Sequence, residues 1–125
     1  MTTSPAGGPR LPVVFDEPSW ADDVRRIGGR GRAQAETTRR RLEREGVPLA
    51  ELHRCQPEGP GGTALPGCVK LYLDHWRLVF RVATTTGGEP ALLCFALGLG
   101  HPPARSRIPS VYDIAHRRLH APPGA

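Results

Sequence analysis

Lys70, Tyr72 and Arg77 are the residues whose types and spacing could do chemistry together, because an amine, a phenol and a guanidinium converge on one sheet face of a basic protein. A guanidinium carries negative charge as it develops. An amine binds phosphate or, once deprotonated, takes a proton, and a phenol stacks on a base or orients a hydroxyl. All three lie in CVKLYLDHWRLVFRV, Cys68 to Val82, where apolar and polar residues alternate on both sides of Asp74-His75. That alternation predicts two half-buried strands joined by a tight turn. With Asp74 and His75 in the turn, Leu73 faces Trp76, Leu71 faces Leu78 and Val69 faces Phe80 on a core face; a four-residue turn keeps the same parity. Lys70 and Tyr72 then share the opposite face with Arg77, which lies across from Tyr72. Tyr72 and, further along the second strand, Arg81 are candidates for binding substrate. Lys70 is the only lysine among 17 basic residues, and an ammonium can lose its proton where a guanidinium in practice cannot.

A second group lies near the C-terminus. HPPARSRIP, residues 101–109, reads as an extended basic loop, because each proline biases its predecessor away from helix. Ser110-Val111-Tyr112-Asp113 is a capping-box pattern that starts a final helix with Val111, Ile114, Ala115 and Leu119 as its buried stripe. Tyr112 therefore sits on a first helical turn, where free N–H groups attract phosphate, beside a loop that carries Arg105 and Arg107. His116 and His120 have the i, i+4 spacing of metal ligands, but that spacing alone is a weak signal, and cations in a last turn also suit the helix dipole.

These groups need a scaffold. Residues 1–10 read as a disordered tail, residues 11–121 as one domain and 122–125 as a second tail. Leu11 to Phe15 is a short apolar run of strand type, expected at a sheet edge because of Pro12. Pro18-Ser19 opens a helix with Trp20, Val24 and Ile27 on one side, Asp22 and Asp23 early, Arg25 and Arg26 late, and Gly28-Gly29 at its end. A second helix is expected from Gly31 to Glu45, stopped by Gly46, with a thin apolar side of Ala33, Ala35 and Leu42 extended by Val47 and Leu49. Its Arg39-Arg40-Arg41 run with Arg44 is either a phosphate-binding stripe or a solvated face paired with Glu36, Glu43 and Glu45, and the second is the expectation. QPEGPGGTALPG, residues 56–67, is a surface loop into the hairpin. Thr84 to Pro90 is a second polar turn, and ALLCFAL, residues 91–97, is apolar on both faces like a central strand.

Composition sets the class. A chain of 125 residues supports one modest core. No apolar run is long enough to span a bilayer and the start has no signal-peptide pattern, so a cytoplasmic protein is expected, with no membrane partner. Cys55, Cys68 and Cys94 are odd in number and lack CxxC spacing, which argues against a disulfide framework or a closed zinc site and for reduced, buried thiols. A net charge of +5 suits a polyanionic partner such as nucleic acid.

GCVKLYLDHWRLVFRV, LLCFALGLGH, the basic loop and SVYDIAHRRL together resemble the RelE/ParE superfamily of bacterial toxin–antitoxin toxins, and more its RelE branch. The likeness spans residues 11 to 120 in element order and is most specific from Leu65 to Leu119. It implies an α+β fold: a small antiparallel sheet, made of the N-terminal strand and a three-stranded meander, with a helical hairpin packed on it and a C-terminal helix, the helices sharing one face. It also implies an endoribonuclease that cuts mRNA in the ribosomal A site and is silenced by an antitoxin. Lys70 matches the first lysine of the family's K-x-K strand motif, Arg77 the arginine that opens the next strand, and Tyr112 the tyrosine at the start of the final helix. The second lysine, a base in the family, is Tyr72 here. The arginine expected after the Gly-His pair is replaced by Pro102, so Arg105 or Arg107 is left to supply that guanidinium, and His101 is a further candidate because other members use histidine.

The reaction so implied needs no metal or cofactor. A base takes the ribose 2′-OH proton, the oxygen attacks the adjacent phosphorus, and an acid protonates the leaving 5′ oxygen. Arg77 would stabilise the anion, and Lys70 would bind phosphate or, with its pKa depressed by nearby arginines, act as base. Two readings from other classes stand beside this: a non-enzymatic ParE-like inhibitor of DNA gyrase, and a basic RNA-binding domain without catalysis.

Overall fold

A computed structural model describes residues 8–55 and 65–121. In chain order its elements are Arg10–Leu11 (β1), Val13–Phe15 (β2), Glu17–Ile27 (α1), Gly29–Glu45 (α2), Val47–Pro48 (β3), a 3₁₀ turn at Leu49–Glu51, His53–Arg54 (β4), Cys68–Leu73 (β5), Trp76–Thr84 (β6), Pro90–Leu99 (β7) and Val111–Leu119 (α3). The fold is α+β, with one five-stranded sheet in the order β2-β7-β6-β5-β4 and a separate β1–β3 pair.

The hairpin has the register that its alternation predicts: Val69 pairs with Phe80, Leu71 with Leu78, Tyr72 with Arg77 and Leu73 with Trp76. Asp74 turns the chain at a positive φ of 54°, a conformation that Asp tolerates better than most side chains. β7 is an inner strand, as its two apolar faces require, and β2 is an edge. The sheet is mixed rather than antiparallel, because β2 runs parallel to β7, with Val13 beside Leu92 and Phe15 beside Cys94. Parallel neighbours need a long connection, which the helices and the meander supply.

The helices divide between the two faces. Trp20, Val24, Ala35 and Leu42 of the helical hairpin pack with Leu71, Leu78 and Phe80 on one side. Val111, Ile114 and Ala115 of α3 pack with Val79, Phe95 and Ala96 on the other. The expectation that all helices share one face is thus corrected. Val79 and Ala96 are register partners whose apolar side chains project away from the first core, and the α3 stripe buries them.

Local chemistry explains several boundaries. α1 is capped by Asp16, whose carboxylate accepts from the Ser19 N–H at 3.3 Å, so it begins a little before Pro18 and leaves Asp22 and Asp23 in mid-helix. On α2, Ala35, Thr38 and Leu42 are buried, whereas Ala33 is exposed, as is Leu49 beyond it. β3 and β4 are two residues each, too short to show a period. Arg10, assigned above to the tail, pairs with Pro48; residues 1–7 and 122–125 and most of the 56–67 loop lie outside the described residues. All three cysteines are free and buried.

β2 covers β7 only from Leu92 to Cys94, so the backbone beyond needs other partners. Asp23 accepts from the Leu97 N–H at 2.8 Å, and Arg118 donates to the Phe95 carbonyl at 2.9 Å. Two further bonds of 2.8 Å join Arg118 to Asp23, so α1 and α3 are tied together around the strand edge.

Candidate functional site

The open end of the α3 face gathers Lys70, Tyr72, Arg77 and Tyr112. Strand parity puts the first three on one face. The α3 N-terminus adds the fourth: Ser110 caps the helix by accepting from the Asp113 N–H at 3.1 Å, and Val111 seats it against Gly98, where a Cβ would lie 3.4 Å from that of Val111. Lys70 donates from Nζ to the Tyr112 hydroxyl at 3.2 Å, with Nζ 4.9 Å from the Tyr112 ring centre and 5.6 Å from that of Tyr72. Only 9% of Lys70 is exposed. Burial disfavours its charge, but the Tyr112 hydrogen bond and the phenols of Tyr112 and Tyr72 outweigh that, and its pKa is raised. The condition for Lys70 to act as base, a pKa depressed by neighbouring arginines, is therefore not met, because the groups around it are phenols and the Cys55 thiol.

Tyr72 is 50% exposed. The Arg77 guanidinium lies 4.1 Å from its ring centre, held by hydrogen bonds from one terminal nitrogen to the carbonyls of Asp74 at 2.9 Å and Trp76 at 2.8 Å. Gly100 leaves room for this arginine, since a Cβ there would come within 3.1 Å of Arg77 Cγ. From β4, the His53 ring stacks on Tyr72 with centres 4.6 Å apart and an interplanar angle of 17°. His53, Tyr72 and Arg77 thus form a stack across three adjacent strands. His53 was not among the sequence candidates. Its only signal is the alternation of His53 with Cys55, too short to mark a strand.

The remaining candidates are not drawn into this cluster. His101, Arg105 and Arg107 are exposed on the loop before α3 and make no hydrogen bond or ion pair among the described residues. Arg81 lies at the far end of the hairpin, opposite Cys68 and 5.7 Å from the Phe95 ring centre. On α2 the arginine run is split. Arg39 bonds Glu17 and Glu43 and covers Phe15 at 4.7 Å, whereas Arg44 pairs with Glu45 at 3.0 Å. His116 and His120 touch, with ring centres 4.5 Å apart, and among the described residues no three His, Cys, Asp or Glu side chains are grouped to hold a metal.

Charge sets the cluster apart. Among the described residues neither Lys70, Arg77 nor His53 is ion-paired; their partners are phenols and backbone carbonyls. Positive charge beside an exposed aromatic stack is what an anion with a planar face requires. No helix among the described residues is long and apolar enough to cross a membrane. In comparisons with known proteins, no family model, no curated protein and no solved structure matches this chain.

Proposed function

We propose that this protein is a RelE-like toxin, a cytoplasmic endoribonuclease that cuts mRNA on the ribosome and is neutralised by a cognate antitoxin. The observation that carries the reading is the positive charge of Lys70 and Arg77, without an ion pair among the described residues, set around an exposed aromatic stack. Single-stranded RNA supplies what that surface lacks: a phosphate for the cations and unstacked bases for the rings.

The chemistry follows from the contacts. Attack by the ribose 2′ oxygen on the adjacent phosphorus builds negative charge, and the Arg77 fork, anchored through one nitrogen on the turn carbonyls, stabilises it. Because Lys70 donates to the Tyr112 oxygen, the Tyr112 hydroxyl proton is free to point outward, toward a leaving 5′ oxygen, and Lys70 can replace it. A raised pKa keeps Lys70 an ammonium at neutral pH, which suits it to this role and not to that of base. His101, Arg105 and Arg107 add cationic and hydrogen-bonding groups for the RNA backbone from the loop.

Inducible expression in a bacterium, with new 5′ ends mapped on cellular mRNA, tests this. Growth arrest with codon-phased cuts that Arg77→Ala and Lys70→Ala both abolish is the expected result. Arrest with DNA damage and intact mRNA would replace the reading with gyrase inhibition. No arrest, with salt-sensitive RNA binding by the pure protein, would leave an RNA-binding domain.

A further inference from the structure

The proposed reaction needs a group that accepts the 2′-OH proton, and the family position for that base holds Tyr72. We propose that His53 takes its place as the general base. Among the described residues, it is the only side chain in the stack or its neighbours whose type exchanges a proton near neutral pH, since the others are a lysine, an arginine and two tyrosines. His53 is the register partner of Lys70 and is exposed on the outermost strand, with its ring laid on the exposed ring of Tyr72. Lys70 turns instead toward α3. The two side chains of this pair thus meet different partners, Tyr72 for His53 and Tyr112 for Lys70, and a phosphodiester lying over β5 would have the imidazole and the Tyr112 hydroxyl within one face of the sheet.

This inference rests on the ribonuclease reading and assigns one of its steps. A ring nitrogen of His53 takes the 2′-OH proton, the O2′–P bond forms, the P–O5′ bond breaks, and the 5′ oxygen leaves with the Tyr112 proton, which Lys70 replaces. The products are a 2′,3′-cyclic phosphate and a 5′-hydroxyl end. Proton exchange with water returns His53 and Lys70 to their starting forms. Among the described residues, the groups facing His53 are Lys70 and Tyr72 on β5, with Arg77 on β6 and Tyr112 on α3 behind them. Cys55, two residues along its own chain, is protonated at neutral pH because burial pushes its pKa up to about 11.

The test is single-turnover cleavage of mRNA bound to ribosomes by the full chain, measured across pH 5 to 9, with binding to the same complexes measured separately. Wild type should show a rate that rises with pH through the imidazole range. With the complex saturated, so that any loss of stacking affinity is removed from the rate, His53→Ala and His53→Gln should each cut about 10²–10⁴-fold more slowly, with that rise gone, and added imidazole should restore part of the His53→Ala rate. Variants that keep the wild-type rate and profile would overturn the assignment while leaving the ribonuclease reading standing. A fall in binding that accounts for the whole loss of rate would reduce His53 to a stacking residue and overturn it too. Wild type that cuts nothing would remove the ribonuclease reading and this step together.

Discussion

Two polar clusters flank α3, and they differ in how their charge is met. At one, Asp23 is 1% exposed and is bonded by Arg118, by Arg26 at 2.9 Å and by the Leu97 N–H, while Arg118 also satisfies the Phe95 carbonyl. Two guanidiniums share the Asp23 carboxylate there, and its bond from the Leu97 N–H and that of Arg118 to the Phe95 carbonyl serve the bare edge of β7. At the other, Lys70 and Arg77 have only phenols and carbonyls among the described residues. The first cluster meets its charges with a carboxylate, and the second, among the described residues, leaves its cations open to an anion. Pairing with a buried carboxylate separates a polar group kept for folding from one open to binding, and each half of that contrast can be broken by substitution.

The largest effect is expected at the Asp23 cluster. Asp23→Ala strands the Leu97 N–H and leaves the Arg118 and Arg26 charges without their carboxylate, so stability should fall by about 3–5 kcal/mol, read from urea denaturation. Arg77→Ala, which removes no buried partner, should change the same measurement by less than about 1 kcal/mol. A tolerant Asp23 site, or a costly Arg77 one, would invert the assignment of the two clusters.

A smaller loss, of activity rather than stability, tests how closely the second cluster is held. A Cβ at Gly100 would crowd Arg77 Cγ at 3.1 Å and Nε at 3.2 Å, so Gly100→Ala should push the guanidinium off the Tyr72 ring. Cleavage should drop by up to about 10²-fold, the scale of a misplacement near 1 Å, with an unchanged thermal midpoint. Full activity in this variant would mean that the stacked position of Arg77 is not the working one.

What the sequence made legible follows the same division between local and distant causes. The hairpin register could be read because alternation runs through both strands up to one turn, and a shift by one residue would turn Leu71, Leu78 and Phe80 to the wrong face. The α3 cap could be read because Ser110 and Asp113 are close in sequence. The parallel pairing of β2, the second face taken by α3 and the burial of Asp23 could not, since each depends on partners in other segments of the chain, such as Leu92 for β2, Val79 for α3, and Leu97 and Arg118 for Asp23. His53 escaped for the same reason: Tyr72 makes it part of the site, and only the pairing of β4 with β5 brings the two together.

The smallest effect concerns pH and again separates the clusters. Burial pushes the Cys55 thiol up to about 11, and Lys70 also titrates above its ordinary value. For both groups the folded pKa exceeds the unfolded one. Their contribution to stability is therefore complete below the unfolded pKa, about 8.5 for a thiol, and is lost as pH rises through the folded value. Cys68 and the fully buried Cys94 shift the same way. Stability measured by urea midpoint should then decline between pH 8.5 and pH 11, with a Cys55 share of about 1 kcal/mol after allowance for solvent screening. In Cys55→Ala the decline should be shallower by that share, even though the variant starts lower for want of a buried side chain. An Arg118 substitution should leave the slope unchanged, because its guanidinium, raised by Asp23 despite burial, stays charged across the whole window. If the slope instead follows Arg118, the alkaline sensitivity belongs to the edge of β7, and the thiols beside the candidate site ionise as they would in an open chain.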